Sequence, residues 1–113
     1  MEPVERVARA SGHWIARIDG RAATDKAALL ALVAGALRFP GYFGGNLDAL
    51  DECLRDLGDY FPAPGYLVLI EHAGEACPGQ RSDFEAVVEA LNEAGRYWRE
   101  QRPPKPFRVV VLG

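Results

Sequence analysis

Between positions 46 and 57 the chain sets four acids, Asp48, Asp51, Glu52 and Asp56, against a single base, Arg55. At about 100° per residue a helix over this stretch gathers Leu47, Leu50, Cys53, Leu54 and Leu57 on one arc. The opposite arc takes Asp48, Asp51, Glu52, Arg55 and Asp56, with Asp59 past the helix end. Like charges at i, i+3 or i+4 each cost about 0.2–0.5 kcal/mol on an isolated helix. Asp48 opposes Asp51 and Glu52, Glu52 opposes Asp56, and Arg55 offsets them through Asp51 and Glu52. The helix dipole favours Asp48 and disfavours Asp56. Such a face repels itself when alone and becomes favourable against a cationic partner. A charge run by itself, however, describes a solvated surface equally well.

What precedes the helix separates these readings. Pro40-Gly41 and Gly44-Gly45 bracket Tyr42 and Phe43, which places two aromatic rings in a glycine-rich turn at the mouth of the acidic helix. Phe43 suits core packing better; Tyr42, amphipathic and with few rotatable bonds, has the make-up of an interface anchor. Asn46 is most simply the helix N-cap.

No constellation for catalysis is evident. His13 precedes one apolar run and His72 follows another, so both fall at strand ends. Of the two serines, Ser11 lies in the N-terminal extension and Ser82 serves better as a helix cap. A nucleophile elbow, a P-loop and an HExxH pattern are all missing from the sequence. Cys53 sits on the apolar arc as an inert buried thiol, and Cys77 falls in a loop where exposure is expected. The helical acids lack the alternating oxygens of a calcium loop, and a convex helix face offers no substrate pocket. Catalytic residues, metal and cofactor are therefore not expected.

A length of 113 residues suits one domain, with residues 1–12 as an N-terminal extension that can be flexible and 13–113 as the domain. A net charge of −3 gives no global field to hold nucleic acid directly. Two cysteines are too few for a disulfide framework, so reduced thiols in a cytoplasmic protein are expected, and no apolar run is long enough for a membrane. His13–Asp19 alternates Trp14, Ala16 and Ile18 and stops at Asp19-Gly20, as a strand and turn would. Thr24 can cap a helix bearing Leu29, Leu32, Val33, Ala36 and Leu37 on one face, ended before Pro40. The acidic helix runs from Asn46 to about Leu57 and is closed by Gly58. Gly65–Glu71 is a near-continuous apolar run, the mark of a strand buried on both faces. Residues 73–81 read as a loop. Ser82 and Glu85 then have capping-box spacing before a third helix with Phe84, Val87, Val88, Leu91 and Trp98 on one stripe. After the break Pro103–Pro106, Phe107–Leu112 reads as another buried strand. Strands alternating with helices predict an α/β domain, a small three-stranded parallel sheet packed with three main helices.

The thirteen residues YFGGNLDALDECL, Tyr42–Leu54, resemble the signature of the barstar family of ribonuclease inhibitors, and the resemblance extends in general pattern over Ile15–Leu112. It implies the same α/β architecture. It also implies that this helix and the loop before it enter a ribonuclease's basic substrate cleft, with carboxylates in place of RNA phosphates. The binding tyrosine falls on Tyr42 and the first binding aspartate on Asp48. Glu52 takes the central aspartate position, one methylene longer, and a further acid from the third helix matches Glu93. Asp51 stands where the family often has tryptophan, and Gly45 replaces an acidic position. The resulting interface set is Tyr42, Phe43, Gly44, Asn46, Asp48, Asp51, Glu52 and Glu93. Its partner is a basic ribonuclease or another cationic protein, and the free chain is expected to be a monomer. A barstar-like module for a toxin that is not a ribonuclease, or for a regulatory partner, is the alternative.

Overall fold

The run Tyr66-Leu67-Val68-Leu69-Ile70 has no charged residue to offer to solvent, and it forms the middle of a three-stranded parallel sheet. In the computed structural model, which describes residues 3–41 and 43–113, the sheet order is β1 (Trp14–Asp19), β2 (Tyr66–Glu71), β3 (Phe107–Val111). Trp14 pairs with Tyr66, and Tyr66 with Phe107. Five α-helical segments accompany it among the described residues: α1 (Pro3–Ala10), α2 (Lys26–Ala36), α3 (Leu47–Arg55), α4 (Leu57–Tyr60) and α5 (Arg81–Arg99). The predicted α/β fold is the one formed, with α2, α3 and α5 as its three main helices.

Alternation along the strands divides the core. Ala16, Ile18, Val68 and Ile70 turn to one face and bury Leu29, Leu30 and Val33 of α2, Leu50 and Leu54 of α3, and Phe84, Val87 and Leu91 of α5. Leu67 and Leu69, equally buried, turn to the other face, where α1 lies against β1 and β2. There the buried Glu5 carboxylate accepts from Arg9 at 3.1 Å and from Arg17, whose guanidinium also reaches Glu71 at 2.9 Å. Residues 3–10, set apart by the sequence as an extension, thus form a helix covering the back of the sheet.

Several local expectations are corrected. The cap of α2 is Asp25, whose carboxylate accepts the Ala28 N–H at 2.8 Å, and not Thr24; a charged acceptor is better placed at the positive end of the helix dipole. Residues 73–81 are not all loop: Ala73–Glu75 is a 3₁₀ turn and Arg81 already belongs to α5. The Arg81 guanidinium donates to the Ala73 and Ala76 carbonyls at 2.8 and 2.6 Å and stacks 4.4 Å from the Phe84 ring centre. Helix thus begins two residues early, Gln80 is an N-cap with no side-chain bond, and Ser82 lies inside the first turn instead of capping it. Cys77 is buried, not exposed, and its N–H donates to the Ala23 carbonyl at 2.7 Å. Finally, β3 is not buried like β2. Only Phe107 is fully enclosed, while Val111 and Leu112 are 43% and 37% exposed. An apolar run shows that a strand touches a core; it does not show whether the strand has one neighbour or two.

Candidate protein-binding site

α3 is held at both ends by side chains. At its start the Asn46 carboxamide oxygen accepts the Ala49 N–H at 2.8 Å, as expected of an N-cap. The last four carbonyls of a helix have no partner within it. Here the Tyr60 hydroxyl donates to the Cys53 carbonyl at 2.7 Å, and the Trp98 indole N–H donates to the Leu54 carbonyl at 3.0 Å. Gly58 does not close the helix. It lies inside α4, with Asp59 beside it, and a Cβ at 58 would come within 3.3 Å of the Trp98 ring. The chain breaks at Asp56 and turns into α4, which brings Tyr60 back onto α3.

Across the helix the two arcs separate as predicted. Leu50, Cys53, Leu54 and Leu57 are buried and Leu47 is half-buried, whereas Asp48, Asp51, Glu52, Arg55 and Asp56 are exposed. Burial, then the nearby Asp56 and Glu52 carboxylates, push the Cys53 thiol up in pKa. The expected offset by Arg55 is not made: no ion pair joins it to Asp51 or Glu52 among the described residues. Asp48, Asp51 and Glu52 therefore present charge that nothing in the described protein neutralises. A face of this kind is electrostatically complementary to a cationic cleft.

The turn before α3 is anchored from beneath. Phe39 meets Phe43 edge-on at 5.1 Å and Tyr60 at 6.3 Å, and the Phe43 N–H donates to the Pro40 carbonyl at 3.0 Å. Phe43 is thus packing, half-buried against the core, as its composition suggested. Gly44 is exposed with room for a side chain, but Gly45 has φ +72°, where a Cβ is strained. An acid at 45 would carry that cost. Tyr42 lies outside the described residues.

Glu93 comes close to this surface from α5. With Asp51, Arg55, Arg96, Tyr97 and Glu100 it lines a concavity of about 410 Å³ between α3 and α5. Its carboxylate is already engaged by Arg96, which holds it below the usual carboxylate pKa and also binds Glu89 at 3.1 Å. The structure therefore gathers Asp48, Asp51 and Glu52 on α3 with Glu93 nearby, but Glu93 is ion-paired and the other three are not. Sequence reasoning missed Tyr60 and Trp98 as the groups that terminate α3. Trp98 is 44 residues from its acceptor, a distance no local pattern spans.

The other chemistry-bearing residues stay apart. His13 and His72 flank β1 and β2, parallel strands paired in register, so they lie at opposite ends of a sheet about 20 Å long. His72 lies 3.6 Å from the Glu75 carboxylate and close enough to Asp19 to interact with its charge. Among the described residues no group of three His, Cys, Asp or Glu side chains could hold a metal, and no helix is long and apolar enough to cross a membrane.

Fold and site together define a small α/β protein with an exposed acidic face on one rigidly held helix. Residues 13–111 match the family model for barstar, described as barnase inhibitor, and the chain belongs to the barstar family. Members of that family are inhibitors of barnase, a ribonuclease. A comparison with curated proteins returned no match.

Proposed function

We propose that this chain inhibits a ribonuclease by inserting α3 and the preceding turn into the enzyme's phosphate-binding cleft. The observation that carries the reading is the exposed, unpaired charge of Asp48, Asp51 and Glu52 on a helix fixed at both ends. An enzyme that binds RNA lines its cleft with Arg and Lys, and its field draws in anions. Carboxylates on a rigid helix meet those cations without first being ordered, and Arg engages a carboxylate through two parallel hydrogen bonds. Asp48 and Glu52, one helical turn apart, lead the contact; Asp51 and Glu93 extend it toward α5. Tyr42, which precedes the helix in sequence, is the aromatic anchor. Asn46 and Phe43 act by holding the helix start and the turn. Two free, buried thiols suit a cytoplasmic setting.

The test is an RNA-cleavage assay with a small basic ribonuclease that copurifies with the protein, combined with stopped-flow association at several salt concentrations. Stoichiometric inhibition is expected, with an on-rate that falls steeply as salt rises. An on-rate indifferent to salt would remove the acidic face from the interface. A copurifying partner without ribonuclease activity would instead favour a toxin of another kind or a regulatory protein on the same surface.

A further inference from the structure

Among the described residues β3 has a neighbouring strand on one side only. The Pro106 carbonyl accepts the Tyr66 N–H at 2.9 Å, and the Leu112 N–H donates to the Ile70 carbonyl at 2.8 Å. Alternate residues of a strand point their main-chain groups the same way, so Arg108 and Val110 also face β2. Phe107, Val109 and Val111 therefore turn theirs to the open edge. At Phe107 the edge is closed by α5, since a Cβ on Gly95 would lie 3.0 Å from the Phe107 carbonyl oxygen. Beyond it, the N–H and C=O groups of Val109 and Val111 have no hydrogen-bond partner among the described residues.

A groove of about 330 Å³ follows this edge between α1 and α5, with Val4, Arg99, Arg108 and Val109 in its lining. Side-chain alternation puts Arg108 on the α1 side of the sheet and Val109 on the α5 side. Arg99, from α5, and Arg108 thus stand over opposite faces of the edge, and neither forms an ion pair among the described residues. Glu89 and Arg96 also line the groove, where they pair with each other at 3.1 Å and Arg96 is held by Glu93 as well, which leaves Arg99 and Arg108 as the groove's uncompensated charges.

We propose that this edge is a second docking site, which takes an extended acidic segment of a partner protein as a fourth strand. Main-chain pairing with Val109 and Val111 supplies the attachment, as in other strand-addition complexes. Arg99 and Arg108 supply the selection. Because they flank opposite faces, the segment carries carboxylates at both odd and even positions. A second copy of this chain is the poorer occupant, since pairing β3 with β3 would bring two Arg99 and two Arg108 side chains into one groove. The site does not overlap the exposed acids of α3 and does not depend on what α3 binds.

The experiment uses the full chain with a fluorescent octapeptide, Glu-Glu-Val-Val repeated twice, and its lysine-for-glutamate counterpart. Anisotropy at low salt reads affinity, and ¹⁵N–¹H spectra read the Val109 and Val111 amides. Binding of the acidic peptide is expected, with the lysine peptide about tenfold weaker or more. Val109→Pro removes an outward N–H without touching the β2 ladder, and it should weaken binding roughly two- to tenfold. Should that variant fail to fold, Arg99→Glu with Arg108→Glu, both at exposed positions, carries the test by abolishing the preference for acid. No binding, equal binding of both peptides, or binding that leaves both valine amides unshifted would overturn the proposal. So would a dimer of the chain in which those amides are already protected, because the edge would then belong to a second copy.

Discussion

α5 separates two surfaces of opposite character. Among the described residues, the charges without ion pairs on the α3 side are Asp48, Asp51, Glu52 and Asp56 against Arg55, a net acidic face; those that flank the β3 edge are Arg99 and Arg108. The first surface is a helix whose last turn is closed by Tyr60 and Trp98 and whose exposed arc carries the carboxylates, so side chains lead its binding. The second is a strand edge, whose backbone is itself unsatisfied and whose side chains only flank it. A helix face recognises charge at fixed positions and discriminates by sequence. A strand edge recognises extended backbone and discriminates weakly unless flanking charges narrow the choice.

The largest effect that can be imposed on one surface and not the other is removal of its support. Leu50 is fully buried beneath the acidic arc, so Leu50→Ala should destabilise the fold by about 2–5 kcal/mol in urea titrations. Val111→Ala, at the exposed edge, should stay within about 0.5 kcal/mol of the parent. Equal losses from the two would mean that α3 is not seated on the core as described.

Next comes binding itself. Asp48→Ala and Glu52→Ala should each cost about 1.5–3 kcal/mol of affinity for a cationic partner, read by titration of inhibition, because each removes a charged hydrogen-bond acceptor. Stability should rise by a few tenths of a kcal/mol in Glu52→Ala, which relieves the i, i+4 repulsion, whereas in Asp48→Ala the lost interaction with the helix dipole offsets that gain. Acidic-peptide binding at β3 should not change. If affinity for the ribonuclease survived loss of both acids, the interface would lie elsewhere.

How much of this was legible in the sequence follows the same divide. The acidic face was readable because helical periodicity alone sorts Leu50 and Leu54 from Asp48 and Glu52, and the cap at Asn46 is a local signal. The strand Gly65–Glu71 was readable because a central parallel strand must be apolar on both faces. By contrast, FRVVVL gave no warning that β3 is an edge, for hydropathy does not count neighbours. Thr24 and Ser82 were plausible caps displaced by better local partners, the Asp25 carboxylate and the clasp of Arg81 on two carbonyls. The reach of Trp98 to Leu54 and the packing of α1 on the back of the sheet are tertiary facts with no local trace.

A smaller effect concerns the buried acids shared by neither surface. Burial pushes the Cys53, Cys77 and Tyr66 side chains up in pKa, so each favours its neutral form in the folded protein. The stability they contribute is complete below the ordinary thiol and phenol values of about 8.5 and 10, and it is lost as pH rises through the folded ones. Urea midpoints should therefore fall from about pH 8 to pH 10, and iodoacetamide should label both thiols far more slowly in the native protein than in denaturant. A native thiol labelled at the denatured rate would place that cysteine outside the core.

The smallest effect is the most discriminating, because Arg96 borders both surfaces. It holds Glu93 below the usual carboxylate range on the α3 side and lines the groove beside β3 on the other. Arg96→Gln releases Glu93 to the acidic face and takes a cation from the basic one. Affinity for a basic ribonuclease should rise and affinity for the acidic octapeptide should fall, each by roughly two- to fivefold, as expected for one exposed charge. The ion pair stabilises the fold above the carboxylate range and loses that contribution as pH falls, so at neutral pH the variant gives it up, a change of less than about 1 kcal/mol for so exposed a pair. Opposite signs are what loss of one cation standing between an acidic and a basic surface requires. A change of the same sign at both would mean that Arg96 acts through the position of α5, and that the two surfaces move as one.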